Sequence, residues 1–224
     1  MKKGEIIMDT MQMIRERHSV RSYLEKPVEP AKLVRIREEI ARVNAESGLH
    51  IQIMEDAEGV FSGLLSRVIG WKFVPSYLAL VGRESPKLEE TCGYYGEQLV
   101  LFLQSLGLRS CWVGMFKAAA VRAELGEQER VVITIPFGYG ADAGKQHKSK
   151  AIEEVTDVRQ MPDWFRAGVE SALLAPTAIN QQKFLFSLDG DRPTAKVNGK
   201  GPFTEVDLGI VKYHFEAASG RKVE

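Results

Sequence analysis

Apolar and polar positions along this chain follow two periods in turn. Met11, Met13 and Ile14 form one side of a short helix predicted over residues 9–16, with Asp9 or Thr10 as its cap. Pro27 and Pro30 bracket a turn, after which Leu33, Ile36, Ile40 and Val43 recur at helical spacing as far as Asn44, and Ser47-Gly48 closes that helix. His50 to Met54 reads as a strand. A second lies within residues 71–82, where Phe73, Val74, Tyr77, Leu78, Leu80 and Val81 are its apolar content. Glu97 to Leu106 predicts a strongly apolar helix stopped by Gly107, followed by a loop or short strand over Ser110 to Phe116. The β-branched run Val131 to Phe137 predicts a buried strand.

A second part opens at Met161-Pro162-Asp163. Asp163 should cap a helix through Leu174, Ala175 to Gln182 reads as a polar loop, and Phe184 to Leu188 is a strand running into the turn signal Asp189-Gly190. Lysine, glycine and proline from Asp191 to Pro202 predict an exposed connection before a last helix over Glu205 to Ser219. Set side by side, the two parts suggest pseudo-repeats at about residues 9–158 and 159–220 of a single domain spanning 1–224. The helix-then-strand from Pro30 to Met54 has its counterpart from Pro162 to Leu188. Gly96 and Gly107 are 107 − 96 = 11 apart, as are Gly209 and Gly220 (220 − 209 = 11). Such halves would pack on each other as subunits of a symmetric dimer do; the plainer alternative is that helix-strand units resemble one another.

At 224 residues and 44% hydrophobic the chain can bury a sizeable core. Its thirty basic and thirty acidic side chains cancel, which removes the cationic field that non-specific nucleic-acid or anionic-membrane binding needs. Cys92 and Cys111 are too few for a disulfide framework and read as packing residues in a reducing compartment. Ile6-Ile7-Met8 is too short for a signal-peptide core, and no apolar run approaches the ~20 residues of a membrane span, so a cytoplasmic protein without membrane contact is expected. His18, His50, His147 and His214 show no metal-ligand spacing, and Gly138-Tyr139-Gly140 lacks the rest of a nucleotide-binding glycine loop.

Two segments carry chemistry. Arg17-His18-Ser19-Val20-Arg21 offers two guanidiniums, an imidazole and a hydroxyl at a helix exit, a set suited to a phosphate monoester. The same residues could instead complement the helix macrodipole. Ala175-Pro176-Thr177-Ala178-Ile179-Asn180-Gln181-Gln182 combines a tight turn with amides free to meet the edge of a flavin or nucleobase ring, or simply water.

Together these segments resemble the nitroreductase family. Arg-His-Ser-Val-Arg-Ser-Tyr is similar to its N-terminal signature and Ala-Pro-Thr-Ala-Ile-Asn-Gln-Gln to its Pro-Ser-Ser-x-Asn-x-Gln turn. Two further stretches agree, Leu106-Gly107-Leu108 running to Cys111-Trp112-Val113-Gly114-Met115-Phe116, and Lys145 to Lys150 ahead of Ile152-Glu153-Glu154-Val155. In the ordinary family the turn follows soon after the N-terminal motif and reaches the flavin from the partner subunit. Here it comes some 155 residues later (176 − 21 = 155), and Ala45-Glu46-Ser47-Gly48 stands where it is missing from the first half. The chain therefore resembles the family's single-chain, dimer-like branch, typified by a protein of a thermophilic bacterium.

The resemblance implies an α+β nitroreductase-like fold, an antiparallel or mixed sheet flanked by helices, and a monomer acting as a pseudo-dimer with one FMN. It places Arg17, His18, Ser19 and Arg21 around the phosphate and ribityl chain, and Pro176, Thr177, Ala178, Asn180 and Gln182 along the ring. Val113, Gly114 and Met115 would bring backbone close to the flavin's central nitrogen, and Lys148 or Lys150 would add charge at the phosphate. It implies ping-pong transfer of electron pairs from NADH or NADPH to a nitroaromatic, quinone or similar flat acceptor, with the flavin rather than any catalytic side chain carrying the redox chemistry. A flavin-binding protein without turnover, or a module using Arg17 and Arg21 for another phosphate, are the competing readings.

Overall fold

The computed structural model describes residues 9–62 and 73–224. Trp71, part of the second strand's predicted range, and Ile6 to Met8 lie outside the described residues. Elements follow the order α1 (Thr10–Glu16), α2 (Pro30–Ser47), β1 (Gln52–Met54), β2 (Ser76–Arg83), α3 (Leu88–Ser105), β3 (Arg109–Ser110), β4 (Glu129–Gly138), α4 (Asp163–Ala172), β5 (Phe184–Asp189), β6 (Arg192–Val197) and α5 (Thr204–Ser219).

β1, β2, β4 and β3 form an antiparallel sheet in that order, and β5 and β6 form a separate hairpin. Helices and antiparallel strands thus make an α+β fold. β2 is buried along seven of its eight residues, because both of its faces are covered. Leu78 and Leu80 enter the main core with Leu99 and Leu103 of α3, while Tyr77, Ala79 and Val81 form a smaller cluster with Val60 on the other side. Cys92 and Cys111 are both buried, and burial raises both thiols, Cys92 to about 12, consistent with packing roles.

Three predicted boundaries are corrected. α3 begins nine residues before Glu97, because Gly93 and Gly96, which discourage helix locally, serve a tertiary purpose: a Cβ on Gly93 would lie 2.0 Å from the Val206 carbonyl oxygen of α5. Residues 192–197, read as an exposed connection, are β6, which pairs residue for residue with β5 from Asp189↔Arg192 to Phe184↔Val197. Partner hydrogen bonds, which leave no periodic trace in so polar a segment, make it a strand. The N-cap of α4 is Pro162, and neither Asp163 nor Pro162 supplies a side-chain cap hydrogen bond.

α3 lies between the sheet and α5, and α4 packs on the far side of α5. This stacking brings the C-terminal part of the chain across the sheet edge occupied by β3, where the N-terminal motif also runs.

Candidate functional site

Residues 17–23 are extended and stitched to that edge. Ser19 bridges Ser110 in parallel, the Val20 amide donates to the Ser110 carbonyl at 3.0 Å, and Tyr23 bridges Gly140. Extended backbone sends alternate side chains to opposite sides. Arg17, Ser19 and Arg21 therefore face one cavity, while Val20 is buried on the other side. His18 falls out of this set: its Nδ1 meets the Glu16 carbonyl at 2.9 Å, and neither cavity described below is lined by it.

Across the cavity stands the turn after α4. Ile179, Asn180 and Gln182 all have positive φ (48°, 56° and 45°), a region that asparagine tolerates but a β-branched isoleucine does not. Such backbone persists only where its surroundings hold it. Here Gln182 is the clamp: its Oε1 accepts from the Lys150 amide, and its Nε2 donates to Lys148 O and Asn180 Oδ1, each at 2.9 Å. Asn180 Nδ2 donates to the same Lys148 carbonyl at 2.8 Å, Lys150 Nζ to Gln182 O at 2.9 Å, and the Gln182 amide to Thr177 Oγ1 at 3.1 Å. The amides read from sequence as unspent are thus engaged within the protein. Gln182, 3% exposed, shapes the turn and lines neither cavity.

The first cavity has a volume of about 530 Å³, within the roughly 300–1,000 Å³ typical of small-molecule sites. Its charged lining is Arg17, Arg21 and Lys145 against Asp142, with His147, so it favours an anion. Lys145, rather than Lys148 or Lys150, is the lysine on its wall; Lys148 contributes its carbonyl to the turn, and the Lys150 ammonium is tied to Gln182. Gly144, at φ 70°, closes against the motif so tightly that a Cβ would lie 2.7 Å from that of His18. Burial holds His147 below its usual pKa, and its Nε2 lies 2.9 Å from the Leu173 carbonyl, so Nε2 carries the hydrogen.

A second, narrower cavity of about 100 Å³ shares Ser19, Arg21, Pro176, Thr177 and Ile179 with the first and continues into apolar surroundings: Trp112, Ile133, Phe203 and Ile210, with Gly114 and Ala178. Among the described residues the carboxylate there is Asp207, whose Oδ1 accepts from the Ala178 amide (2.9 Å) and Oδ2 from Gln181 Nε2 (2.7 Å). Burial pushes Asp207 up to about 6 despite those two hydrogen bonds. Of the predicted Val113-Gly114-Met115 segment, only Gly114 lines the cleft. Val113 exchanges both backbone hydrogen bonds with Thr134, and Met115 is 61% exposed away from it.

Beneath both cavities lies a buried cluster absent from the sequence reading. Glu97 and His214 are fully buried and Arg17 nearly so; Glu97 Oε1 is 2.9 Å from His214 Nε2 and 3.6 Å from Arg17 Nε, and Oε2 accepts from Trp112 Nε1 at 2.9 Å. Its signal was a carboxylate on the buried stripe of a helix, four residues after Gly93 and three before Val100.

Residues 9–219 match the family model described as "Putative TM nitroreductase". The chain belongs to this nitroreductase-like family. Among solved structures, one described as a putative nitroreductase from Thermotoga maritima is similar, with a TM-score of 0.64 and 23% identity, covering 94% of this chain and 83% of that one. A nitroreductase family protein from Streptococcus pneumoniae aligns with a TM-score of 0.54 and 15% identity over 66% of this chain and 99% of its own. At these identities both likenesses speak for the fold. No curated protein matches the chain. As an oxidoreductase family member it is expected to act on small molecules, and among the described residues no helix is long and apolar enough to cross a membrane.

Proposed function

We propose that this chain binds one FMN in the joined cavities and transfers electron pairs from NADH or NADPH to a nitroaromatic, quinone or similar flat acceptor. The observation that carries the reading is the convergence of the Arg17–Arg21 segment with the Pro176–Asn180 turn on a cleft that is cationic at one end and aromatic at the other. The donor set fits the cofactor: a phosphate meets Arg17, Arg21 and Lys145, whose forks and ammonium supply charge-assisted hydrogen bonds. Arg17 Nε is buried with no hydrogen-bond partner among the described residues, Glu97 Oε1 standing off at 3.6 Å, so the guanidinium is not fully satisfied within the protein, which supports the anion reading.

When bound, flavin supplies the hydride and electron chemistry. The protein's part is to hold and orient. Pro176, Thr177 and Ala178 form the wall between the two cavities, and the Gln182 clamp fixes that wall in position. Ile133, Ile210 and Phe203 keep water from the narrow end. Arg21, at the junction, stands where it can offset negative charge on a reduced ring. Asp142 and Asp207, carboxylates of the cleft, sit at opposite ends, the latter held by donors from the turn itself.

The single-chain pseudo-dimer belongs to this proposal. It is supported by the coverage of the two relatives, since the S. pneumoniae protein is nearly used up on 66% of this chain whereas the T. maritima protein spans 94% of it. The packing of α3 on α5, the two helices that carry Gly96 and Gly209 and are followed by Gly107 and Gly220, supports it too. The test is the visible spectrum of the purified protein with chromophore release by heat, followed by steady-state oxidation of NADH or NADPH with a quinone. About one FMN per chain with turnover and parallel-line kinetics is expected. Bound flavin without turnover would favour a flavin-handling role, and failure to take up added FMN would sink the reading.

A further inference from the structure

Glu97 joins the two cavities from below. One oxygen faces Arg17 of the first cavity and the other is bonded to Trp112 of the second, with His214 of α5 on the side of Arg17. The guanidinium of Arg17 is almost wholly desolvated, which lowers its pKa, and the charge of Glu97 is the main opposing influence. Yet the two do not close a hydrogen bond: Nε stays 3.6 Å from Oε1, and Nη2 reaches the Leu174 carbonyl only at 3.5 Å. A guanidinium has five N–H donors and cannot shed its charge, so Arg17 is compensated electrostatically but left short of acceptors.

We propose that Glu97 is the resident counter-ion of the anion site. It balances Arg17 while no ligand is bound and competes with an incoming phosphate group for the same guanidinium, so it stabilises the unliganded fold and weakens anion binding. The inference rests on reading the first cavity as the phosphate end. It follows from two physical points. Two anions sharing one cation in a low-dielectric site each bind less well than one alone. Removing one member of a buried ion pair strands the other. Glu97 acts only through Arg17 and is a positioning residue, since its hydrogen bonds with Trp112 and His214 tie it to the protein interior rather than to the cavity.

The test uses inorganic phosphate as probe, with thermal unfolding and calorimetric titration of the full chain. Glu97→Gln keeps the size and the Trp112 hydrogen bond but not the charge. It should unfold at lower temperature than the parent without phosphate, yet bind phosphate about tenfold more tightly, and its melting temperature should rise more on adding it. Arg17→Gln should lose most of the phosphate effect. The double variant, with no stranded guanidinium, should recover much of the stability lost in Glu97→Gln. A merely structural Glu97 would lower stability without tightening phosphate. Unchanged or weaker phosphate affinity in Glu97→Gln, or no phosphate binding by the parent, overturns the inference. If Glu97→Gln alone cannot be obtained folded, a folded double variant supports it and an equally unfolded one overturns it. Titration of the parent with FMN is read separately. Phosphate behaving as stated without FMN uptake leaves the counter-ion standing and removes the flavin; FMN uptake with unaltered phosphate affinity in Glu97→Gln does the reverse.

Discussion

Gly93 of α3 and Gly209 of α5 meet where their helices cross: a Cβ built on Gly93 would come within 3.1 Å of the Gly209 Cα. The approach from the other helix is just as close as that of Gly93 to Val206, since a Cβ on Gly209 would lie 2.0 Å from the Glu90 carbonyl oxygen and 2.6 Å from the Tyr94 nitrogen. Both obstacles are backbone and cannot swing aside. Gly209→Ala should therefore force the helices apart and cost about 3 kcal/mol, read as a fall in the urea midpoint. A variant as stable as the parent would show that the crossing is looser than described.

Gln182→Ala removes three side-chain hydrogen bonds that hold a strained turn. A loss of about 3 kcal/mol is expected, with Asn180 Oδ1 and the Lys150 amide left to find other partners and Lys148 O keeping only its bond from Asn180, and FMN uptake should weaken with it. If stability falls while flavin affinity holds, the turn is dispensable for binding.

Arg21 and Lys145 are exposed on the cationic wall and carry no core packing. Replacing Arg21 with Ala should weaken FMN binding about 10- to 100-fold, the worth of a charge-assisted hydrogen bond, with little change in melting temperature. Riboflavin, which lacks the phosphate, should be affected much less. Equal losses for both ligands, followed by flavin fluorescence quenching, would move the phosphate elsewhere.

Asp207 predicts a pH effect. Its folded pKa of about 6 lies above the ordinary 3.8, burial being the first cause, so between those values the native state holds the proton that the unfolded state has released. Stability therefore falls as pH rises through that window and levels off above about 6. The two-unit displacement corresponds to about 3 kcal/mol. Asp207→Asn should gain on the parent by about that much between pH 4 and pH 8, compared by urea unfolding at each pH. A constant difference across the range would mean that Asp207 titrates normally.

What could be read in advance followed from local rules. Leu33, Ile36, Ile40 and Val43 announce α2 because four apolar side chains at helical spacing have few other ways to be buried together, and Gly48 ends it with φ 72° as a left-handed cap. The strand around Ile133 and Ile135 was equally plain. The residue types of the site were legible too: guanidiniums and a serine in one segment, a Pro-Thr-Ala-Ile-Asn turn in another. Which of them face the cavity was only partly legible, because residues 17–23 become extended through hydrogen bonds with Ser110 and Ala141, and that alternation turns His18 away from it.

The sequence by itself determined the helices, the buried strands and the chemical character of the two motifs, since periodicity and side-chain chemistry act over a few residues. Only the tertiary structure decided that those motifs share one cleft, that Lys145 rather than its neighbours stands on its wall, that residues 192–197 form a strand, and that Glu97 underlies Arg17 and Trp112. Strand pairing, close glycine crossings and compensation of buried charge each need a partner from a distant part of the chain, and no local pattern names that partner.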